Sequence, residues 1–487
     1  MSNKQVQSRR NQFRTIGVLL FSTALWWTIN ARADAADHSP NVLMIMIDDL
    51  GWMDLHCQGN ERLHTPHIDR LASQGMRFTN AYAAAPVCSP TRAAVLTGLA
   101  PARLRITNHI PDQPRFAPKG AALVSAPMHD HLSCQRETFS ERLRTAGYAT
   151  GFFGKWHLAG PRQPNKQGLG ELRAYPDRHG FDVNHGGCAM GGPFSFFDPF
   201  NLHTLPPKRT GQYLPDRLAD ELIQFMTSHR DRPFLGVLWN YTVHWPMEAP
   251  AELIKKYESR TDLGRLDPRY AAMIEAMDAS IGRIMKSLED LKLADNTLVI
   301  FTSDNGAYGG VADNHPLRAA KGFLYEGGIR VPQIVRWPGF VKPGSLCDTP
   351  VISMDFFPTI LAATKATRVR THQLDGESLL PLLRQTGGLA RDSIYFHYPN
   401  YAFHGDNRLG GAIRQGDFKL IERFDDGSLE LYNLKDDISE TKNLAAALPE
   451  RAAKMQAQLQ AWRKDTKAAM PSRSKSSEGA VKQEVSL

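Results

Sequence analysis

The chain contains 487 residues, of which 42% are hydrophobic and 22% are charged, and its formal net charge is +8. These values are typical of a globular protein with a large core and exclude an intrinsically disordered chain. Residues 1–33 contain five basic and no acidic side chains, which leaves a net charge of only +3 for the remainder. Net charge therefore gives no support for nucleic-acid binding.

The N-terminus has the features of an export signal. Basic residues between Lys4 and Arg14 precede a 14-residue apolar segment, Ile16 to Ile29, and Ala31-Arg32-Ala33 forms an A-x-A cleavage pattern. The apolar segment is short for a membrane span, and no longer one follows it. We predict an exported protein, periplasmic or secreted, without a transmembrane span in the mature chain. An uncleaved N-terminal anchor is the alternative.

Cysteine is sparse, with Cys57, Cys88, Cys134, Cys188 and Cys347. Five is an odd count for an exported chain, so at least one cysteine is unpaired or modified. The absence of a C-x-x-C motif argues against a zinc ribbon and a thioredoxin-like site. The pairing of the remaining cysteines stays open at this point.

Apolar runs alternate with helical patterns along most of the chain, which is typical of an α/β fold with a largely parallel sheet. The pattern predicts four buried strands, at Val42–Ile47, Tyr148–Phe153, Pro233–Tyr241 and Leu298–Ser303. It also predicts three helices. The first begins at Pro66, after the N-cap Thr65, and ends before Gly75. The second follows the capping box of Thr138 and Glu141 and ends near Gly147, and the third spans about Pro268–Leu291.

The pattern changes near residue 390. Alternating segments at Gly411–Glu422 and Ser428–Tyr432 flank the turn Asp425-Asp426-Gly427 and predict an antiparallel meander. A helix over about Pro449–Lys464 and a polar tail follow. The predicted organisation is a signal peptide (1–33), a catalytic α/β domain (34–388), a smaller C-terminal α+β domain with an antiparallel sheet (389–468) and a disordered polar tail (469–487).

Chemically competent side chains follow all four predicted strands. The strands end in Asp48-Asp49, in Lys155 with His157, in His244, and in Asp304-Asn305. Each has a bland explanation when taken alone, since acidic pairs often cap helices and a strand-end histidine is often a satisfied core residue. Open α/β sheets bind ligands outside the carboxyl ends of their strands, so the four together predict one site.

The residue types indicate the chemistry of that site. Only oxygen ligands are offered by Asp48, Asp49, Asp304 and Asn305, and such a set suits Ca²⁺ or Mg²⁺ better than zinc. Positive charge and proton transfer near neutral pH are supplied by Arg92, Lys155, Lys321, His157 and His244. A metal, cations and imidazoles together predict a site for a tetrahedral oxyanion ester, either a phosphate or a sulfate.

Cys88 lies in the segment AAAPVCSPTR, just before an apolar helical run. Pro90 suits the first turn of a helix that continues to Gly98, so Cys88 lies at or before a helix N-terminus, where an anion is favoured. Arg92 lies four residues further on, roughly on the same helix face. A thiol nucleophile, a disulfide, a metal ligand and a precursor of a modified residue are the alternatives. An oxygen-only metal set is of no use to a cysteine protease.

The segment Cys88-Ser89-Pro90-Thr91-Arg92 resembles the C-x-P-x-R signature of type I sulfatases, whose cysteine is converted to formylglycine. Further blocks resemble the same family in the same order: MIMIDDLGWMDL (44–55), TPHIDRLASQGMRFTNAYAAAPVCSPTRAAVLTG (65–98), GYATGFFGKWHL (147–158), FTSDNGAYGG (301–310), KGFLYEGGIRVPQIVRWPG (321–339), DGESLLPLL (375–383) and LYNLKDDISETKNLA (431–445). The resemblance covers about residues 40–465. It implies an α/β sandwich like that of alkaline phosphatase, with a large mixed, mostly parallel sheet.

The resemblance also implies roles for the candidate residues. Ca²⁺, or less favourably Mg²⁺, would be bound by Asp48, Asp49, Asp304, Asn305 and the modified Cys88. A formylglycine-generating enzyme would convert Cys88, and the hydrated aldehyde would attack sulfur. Sulfate would be bound by Lys155, His244 and Lys321; His157, supported by Lys155, would take the proton that releases it, and Arg92 would steady the diol and the metal ligands.

The block pattern looks most like bacterial carbohydrate sulfatases related to arylsulfatase A and N-acetylgalactosamine-6-sulfatase. We therefore expect an exo-acting sulfatase on a galactose-type or N-acetylgalactosamine-type sugar, or on an aryl sulfate ester. The alternatives are a formylglycine-dependent hydrolase of phosphonate monoesters or phosphodiesters and an inactive binder of sulfated glycans. Trp245, next to His244, departs from the small residue of many relatives. Candidate sugar contacts are His109, Arg178, His185, His397, His404 and Arg408.

Overall fold

The computed structural model describes residues 39–160, 171–368, 373–402 and 406–474. The predicted signal peptide, the candidate His404 and residues 475–487 lie outside the described residues. The described residues from Asn41 to Ser474 belong to one compact unit, and the boundary predicted between 388 and 389 stays a prediction.

The strands and helices of the described residues follow in chain order. The strands are β1 (Asn41–Ile47), β2 (Met76–Phe78), β3 (Ala81–Tyr82), β4 (Leu123–Val124), β5 (Ala149–Gly154), β6 (Val183–His185), β7 (Phe234–Asn240), β8 (Thr297–Ser303), β9 (Gln333–Arg336), β10 (Ser345–Cys347), β11 (Val351–Ile352), β12 (Ser393–Tyr398), β13 (Gly410–Gln415), β14 (Phe418–Arg423), β15 (Leu429–Asn433) and β16 (Ser472–Arg473). The α-helices are α1 (Pro66–Gln74), α2 (Cys88–Thr97), α3 (Pro101–Leu104), α4 (Phe139–Thr145), α5 (Leu214–Ser228), α6 (Ala251–Glu258), α7 (Pro268–Asp290), α8 (Glu326–Ile329), α9 (Phe356–Thr364), α10 (Leu380–Leu383) and α11 (Pro449–Asp465).

The large sheet has eight strands in the order β10-β2-β9-β8-β1-β7-β5-β6. Its pairs are parallel, except that β9 runs antiparallel to both β8 and β2. Every residue of β1, β7 and β8 is buried, as expected for strands that are covered on both faces by helices. The predicted mostly parallel sheet is confirmed.

A second sheet has four antiparallel strands in the order β12-β13-β14-β15. One face packs on α11 through Ile413, Leu420 and Leu459. The other contributes Phe396 and Ile421 to a cluster that includes Val87 and Ala94, beside and within α2. The predicted meander and terminal helix are therefore confirmed, and this sheet supports the helix that carries Cys88.

The local signals place most helix ends correctly. Thr138 and Glu141 form the predicted reciprocal capping box of α4, and α1 begins at Pro66 with Gly75 after its last residue. The Thr65 side chain makes no capping bond; instead, Asp278 of α7 accepts from the backbone amides of His67 and Ile68, at 3.1 and 2.8 Å. Asp278, which is distant in the chain, thus caps this helix N-terminus in place of the expected Thr65.

One expectation about the C-terminus needs correction. Disorder was expected from residue 469, but Ser472 and Arg473 form β16, which pairs antiparallel with Leu123 and Val124 of β4. The backbone amide of Ser474 also donates to the carbonyl of Ala122 at 2.9 Å. These backbone hydrogen bonds order the first residues of the polar tail, since strand pairing does not require apolar side chains.

Candidate active site

The four candidate strand ends are neighbours in the large sheet. Strands β8, β1, β7 and β5 are adjacent in that order, and all four run parallel. Ile47 is in register with Ser303 on one side and with Asn240 on the other. The residues that follow these strands therefore leave the sheet along one edge, as predicted.

Three carboxylates and a thiol meet at this edge. One atom each of Asp48, Asp49, Cys88 and Asp304 lie within 4.8 Å of one another, and all four side chains are buried. Asn305 Nδ2 donates to Asp49 Oδ1 at 2.8 Å, whereas its Oδ1 is buried without a hydrogen-bond partner in the described part of the chain. A buried amide oxygen without a donor is costly, and a cation in the oxygen cluster would satisfy it. The donor set fits a hard divalent ion.

Each carboxylate is paired with a buried cation of the chain. Lys155 Nζ lies 2.7 Å from Asp48 Oδ2, and Lys321 Nζ lies 2.6 Å from Asp49 Oδ1. Arg92 donates to Asp304 Oδ2 through Nε at 2.9 Å and Nη2 at 2.6 Å. The side chains in these pairs are at most 2% exposed. Buried charges require partners of opposite sign. In this site Lys155, Lys321 and Arg92 are those partners.

These charges shift the carboxyl pKa values in different directions. Burial raises the pKa of Asp48 to about 7, although Lys155 opposes the shift. Burial also acts on Asp49 and Asp304, but Lys321 for the first and Arg92 for the second outweigh it and lower their pKa values. At neutral pH, Asp49 and Asp304 are therefore the more firmly ionised of the three.

Cys88 is the first residue of α2, preceded by the extended N-cap Val87. Its Sγ accepts from Lys155 Nζ at 3.3 Å and lies 3.6 Å from Asp48 Oδ1. Burial raises the pKa of this thiol to about 12, despite the opposing charges of Lys155 and Lys321. A protonated thiol is a weak nucleophile, so the unmodified side chain is poorly suited to attack.

Arg92 connects Asp304 to the backbone of Lys155. Its guanidinium is buried over the ring of Trp239, 5.4 Å from the ring centroid, and Nη1 donates to the carbonyl of Lys155 at 2.6 Å. Arg92 also makes two bonds to Asp304, so it holds the backbone at Lys155 in a fixed position relative to that carboxylate. The planar fork of arginine is suited to this task.

His157 lies in the segment that follows β5, in a left-handed backbone conformation with φ 58°. Its Nε2 donates to the carbonyl of Ile110, and its Nδ1 is buried without a partner among the described residues. Ser89 links the same elements, because its Oγ donates to the carbonyl of His157 at 2.9 Å and accepts from the amide of Ile110 at 3.1 Å. Burial and the charge of Lys155 lower the pKa of His157, so Nδ1 is a free acceptor at neutral pH.

His244 lies in the loop after β7 and faces the cluster of three carboxylates and the Cys88 thiol. Its Nε2 lies 3.9 Å from Asp49 Oδ2, and its Nδ1 donates to the carbonyl of Trp245 at 2.9 Å. Burial and the charges of Lys155 and Lys321 lower its pKa to about 3. The Trp245 ring is 40% exposed and packs edge-on against Tyr308, with ring centroids 6.2 Å apart.

The structure thus brings nine candidate residues into one network of contacts: Asp48, Asp49, Cys88, Arg92, Lys155, His244, Asp304, Asn305 and Lys321. His157 is linked to it through Ser89, the neighbour of Cys88, whose Oγ donates to the carbonyl of His157. Sequence reasoning missed the positioning residues Ser89 and Ile110. The serine inside C-S-P-T-R was an available signal, whereas nothing in the sequence indicated Ile110.

The candidate sugar contacts are scattered. His109 lies near His157, whose pKa its charge helps to lower. The other described candidates contact their own surroundings: Arg178 pairs with Asp177, His185 stacks on Phe153, His397 contacts the carbonyl of Ala469, and Arg408 forms a two-point ion pair with Asp425. Among the described candidates, His109 is thus placed close enough to interact electrostatically with a site residue.

Two further findings concern the cysteines and the helices. In the part of the chain that the structure describes, the five cysteines form no disulfide. Among the same residues, no helix has the length and apolar character needed to cross a membrane.

Comparison with known proteins agrees with this geometry. The family model described as Sulfatase matches residues 40–366, and a model described as N-sulphoglucosamine sulphohydrolase, C-terminal, matches residues 319–467. A sulfatase of Formosa agariphila is 32% identical, over 88% of this chain and 89% of the relative. The human N-acetylgalactosamine-6-sulfatase is 33% identical, over 79% of this chain and 72% of the relative. The crystal structure of Ps i-CgsB in complex with k-i-k-neocarrahexaose has a TM-score of 0.75 and 28% identity, and the match covers 88% of this chain and 94% of that chain.

Proposed function

The chain belongs to the sulfatase family, and within that family we propose that it is a carbohydrate sulfatase that uses a formylglycine made from Cys88 and a bound Ca²⁺ ion. As a sulfatase it hydrolyses sulfate esters and has the alkaline-phosphatase-like fold of its structural neighbours. The nature of the nucleophile, the metal and the sugar are the parts that we propose.

The observation that carries the proposal is the buried cluster of Asp48, Asp49, Cys88 and Asp304. The orphaned Oδ1 of Asn305 completes an oxygen set at the same place. Ca²⁺ accepts such carboxylate and amide oxygens readily, and the flexible ligand number favours it over Mg²⁺. When bound, the ion supplies a Lewis acid that offsets negative charge on the sulfate oxygens.

The position of Cys88 supports its conversion. The thiol is buried at a helix N-terminus and stands, in this structure, for the oxygen-bearing side chain of formylglycine. An oxygen in place of Sγ accepts a hydrogen bond from Lys155 Nζ, which lies 3.3 Å from Sγ. Once formed, the hydrated aldehyde would offer one hydroxyl to attack sulfur, and loss of the proton of its other hydroxyl would restore the C=O bond as the C–O bond to sulfate breaks. A formylglycine-generating enzyme is the maturation partner that this proposal requires.

The chain's own groups divide the remaining tasks. Lys155 and Lys321 bind the sulfate oxygens as donors, since their ammonium groups face the carboxylate cluster from different elements. His244 binds sulfate through Nε2 once the incoming anion favours protonation of that atom, because Nδ1 already donates to the carbonyl of Trp245. Arg92 holds Asp304 and the Lys155 backbone in place. Nδ1 of His157, neutral and without a partner, takes the proton from residue 88 as sulfate departs.

A sulfated carbohydrate, with an exo-acting mode on galactose-type or N-acetylgalactosamine-type sugars, is the proposed substrate class. Support comes from relatives: one curated relative is named N-acetylgalactosamine-6-sulfatase, and one structural neighbour was crystallised with a neocarrahexaose. The proposal includes export of the protein, as expected from residues 1–33, and a catalytic region over residues 34–388.

The test is release of inorganic sulfate from a panel of sulfated mono- and oligosaccharides by protein produced with a formylglycine-generating enzyme. Peptide mass spectrometry of the same material should show an aldehyde at residue 88. Cys88→Ala should abolish turnover, whereas Cys347→Ala, a half-buried cysteine of the edge strand β10, should keep it. A matched phosphonate monoester series is run in parallel. Clear preference for phosphonates, or full activity with an unmodified Cys88 thiol, would overturn the proposal.

A further inference from the structure

Two neighbouring cavities lie apart from the candidate active-site residues. One has a volume of about 480 Å³ and the other about 400 Å³, and both are lined by His129 and Arg136. The second is lined by Arg103, Arg105, His129, Arg136, Thr466 and Lys467, a set without an acidic residue. We call this second cavity the basic groove.

The positive charge of the basic groove is only partly compensated. Arg103 is neutralised by Asp375 and Asp465, each 2.7 Å from its Nη2. Acidic residues near Arg136 in the chain are already paired, Asp130 with His131 at 2.8 Å and Glu137 with Arg142 at 3.0 Å. Within the described residues, Arg105, Arg136 and Lys467 form no ion pair. Three cations therefore face solvent without a counter-charge.

Two of these cations occupy unusual backbone positions. Arg105 has φ 53° and Lys467 has φ 51°, both in the left-handed region that glycine adopts most easily. Arg105 is the C-cap of the short helix α3, and Lys467 follows Thr466, the C-cap of α11; glycine is the usual residue where a chain leaves a helix in this conformation. Both side chains are exposed and form no ion pair within the described residues, so their charges are available to a ligand from solution.

The frame that carries these side chains is well braced. The carbonyl of Arg105 accepts from the backbone amide of His129 at 2.7 Å. The ends of α3 and α11 are joined by the ion pair between Arg103 and Asp465, with Arg103 also bonded through Nε and Nη2 to Asp375. Arg105 and Lys467 are thus presented from two elements that are tied together. Because their backbones are held in place, binding an anion orders only the two side chains and not the segments that carry them.

We propose that the basic groove is an exosite for the sulfate groups of a polymeric sulfated glycan, separate from the site that cleaves the ester. The inference rests on the proposed carbohydrate sulfatase function and adds a polyanionic polymer as the substrate form. A sulfate ester keeps one negative charge and offers several acceptor oxygens, which Arg and Lys side chains bind in partly exposed sites. Contacts at the groove raise affinity for the polymer and do not touch the reacting atoms.

The test compares two double variants that remove the same charge and relieve the same backbone strain. Arg105→Gly with Lys467→Gly removes two groove cations. Lys292→Gly with Lys365→Gly is the matched control, because these exposed lysines also have left-handed φ values, 59° and 56°, and line neither cavity. Binding of dextran sulfate is measured at increasing salt, with unsulfated dextran as the neutral probe. Turnover of 4-nitrophenyl sulfate and of a sulfated polysaccharide is measured on the same proteins.

The groove variant should bind dextran sulfate about tenfold more weakly at low salt and lose part of the salt dependence, since fewer counterions are displaced. Its KM for the polysaccharide should rise while kcat for 4-nitrophenyl sulfate stays that of the unaltered protein. The control should change each value less than twofold. Equal weakening in both variants, or unchanged binding in the groove variant, would overturn the exosite. Dextran sulfate binding that depends on the groove, in a protein that hydrolyses no sulfate ester, would instead keep the exosite and refute the proposed function.

Discussion

Lys155 Nζ and Asp48 Oδ2 lie 2.7 Å apart, and both side chains are completely buried. The two residues are 107 positions apart and follow β5 and β1, which are separated in the sheet only by β7. The ion pair therefore connects the segments after β1 and β5 at the edge of the sheet where the candidate site lies, across the intervening strand β7. Removing one partner of a buried pair leaves an uncompensated charge, which costs far more than an exposed pair is worth.

Lys155→Met should lower the free energy of unfolding by about 3–5 kcal/mol, measured by denaturant unfolding in the presence of a chelator. The loss should grow as pH rises above neutrality, because burial already raises the pKa of Asp48 to about 7 and the lone carboxyl resists ionisation further in the variant. Lys286→Met is the control, since that lysine forms an exposed pair with Asp290. Equal stability of the two variants would contradict the role given to the buried pair.

Asn305 offers a direct test of the metal site. Its Oδ1 is buried without a partner in the described chain, so a bound cation would stabilise the folded state through this atom. Adding Ca²⁺ to chelator-treated protein should raise Tm, and a concentration 100 times the Kd corresponds to about 2.7 kcal/mol. Asn305→Ala should weaken Ca²⁺ binding, followed by calorimetry, and shrink the Tm shift. Asn314→Ala, a half-buried asparagine after the same strand whose Nδ2 bonds the carbonyl of Ala319, is the control. An undiminished shift in Asn305→Ala would remove this residue from the ligand set.

Much of the site could be predicted because its residues follow strands with clear apolar patterns. Once β1, β5, β7 and β8 are recognised and taken as parallel, sheet geometry brings Asp48, Lys155, His244 and Asp304 to one edge. No pattern of this kind exists for contacts between distant, irregular segments. The bond from Ile110 to His157 and the capping of α1 by Asp278 depend on tertiary packing, so they were found only in the structure.

The C-terminal sheet illustrates the same limit. Its strands were predicted from alternating residues, but the sequence did not indicate that Lys419 of β14 is fully buried between two carboxylates, with Nζ 3.0 Å from Glu326 and 2.8 Å from Glu440. Glu326 begins α8, five residues after Lys321. Lys419 thereby links the antiparallel sheet to the segment that carries Lys321, a candidate sulfate-binding residue. This link between residues distant in the chain depends on tertiary packing and has no local sequence signal.

Buried histidines make the fold sensitive to acid. Burial lowers the pKa of His179 to about 4, whereas an unfolded histidine titrates near its ordinary value. Between these values the unfolded state binds more protons, so the stability that neutral His179 contributes is fully present above about pH 6.5 and is lost as the pH falls toward 4. The full loss is about 3 kcal/mol, since one pKa unit corresponds to 1.36 kcal/mol.

His179→Phe should flatten the dependence of unfolding free energy on pH between 6.5 and 4, measured by urea unfolding at closely spaced pH values. The ring lies against Trp156, with centroids 5.5 Å apart, so an aromatic replacement retains part of the packing even if it lowers stability at every pH. The readout is the slope, which a packing defect does not change. His64→Phe, at an exposed position, should keep the slope of the unaltered protein. A slope that persists in His179→Phe would assign the acid sensitivity to other groups.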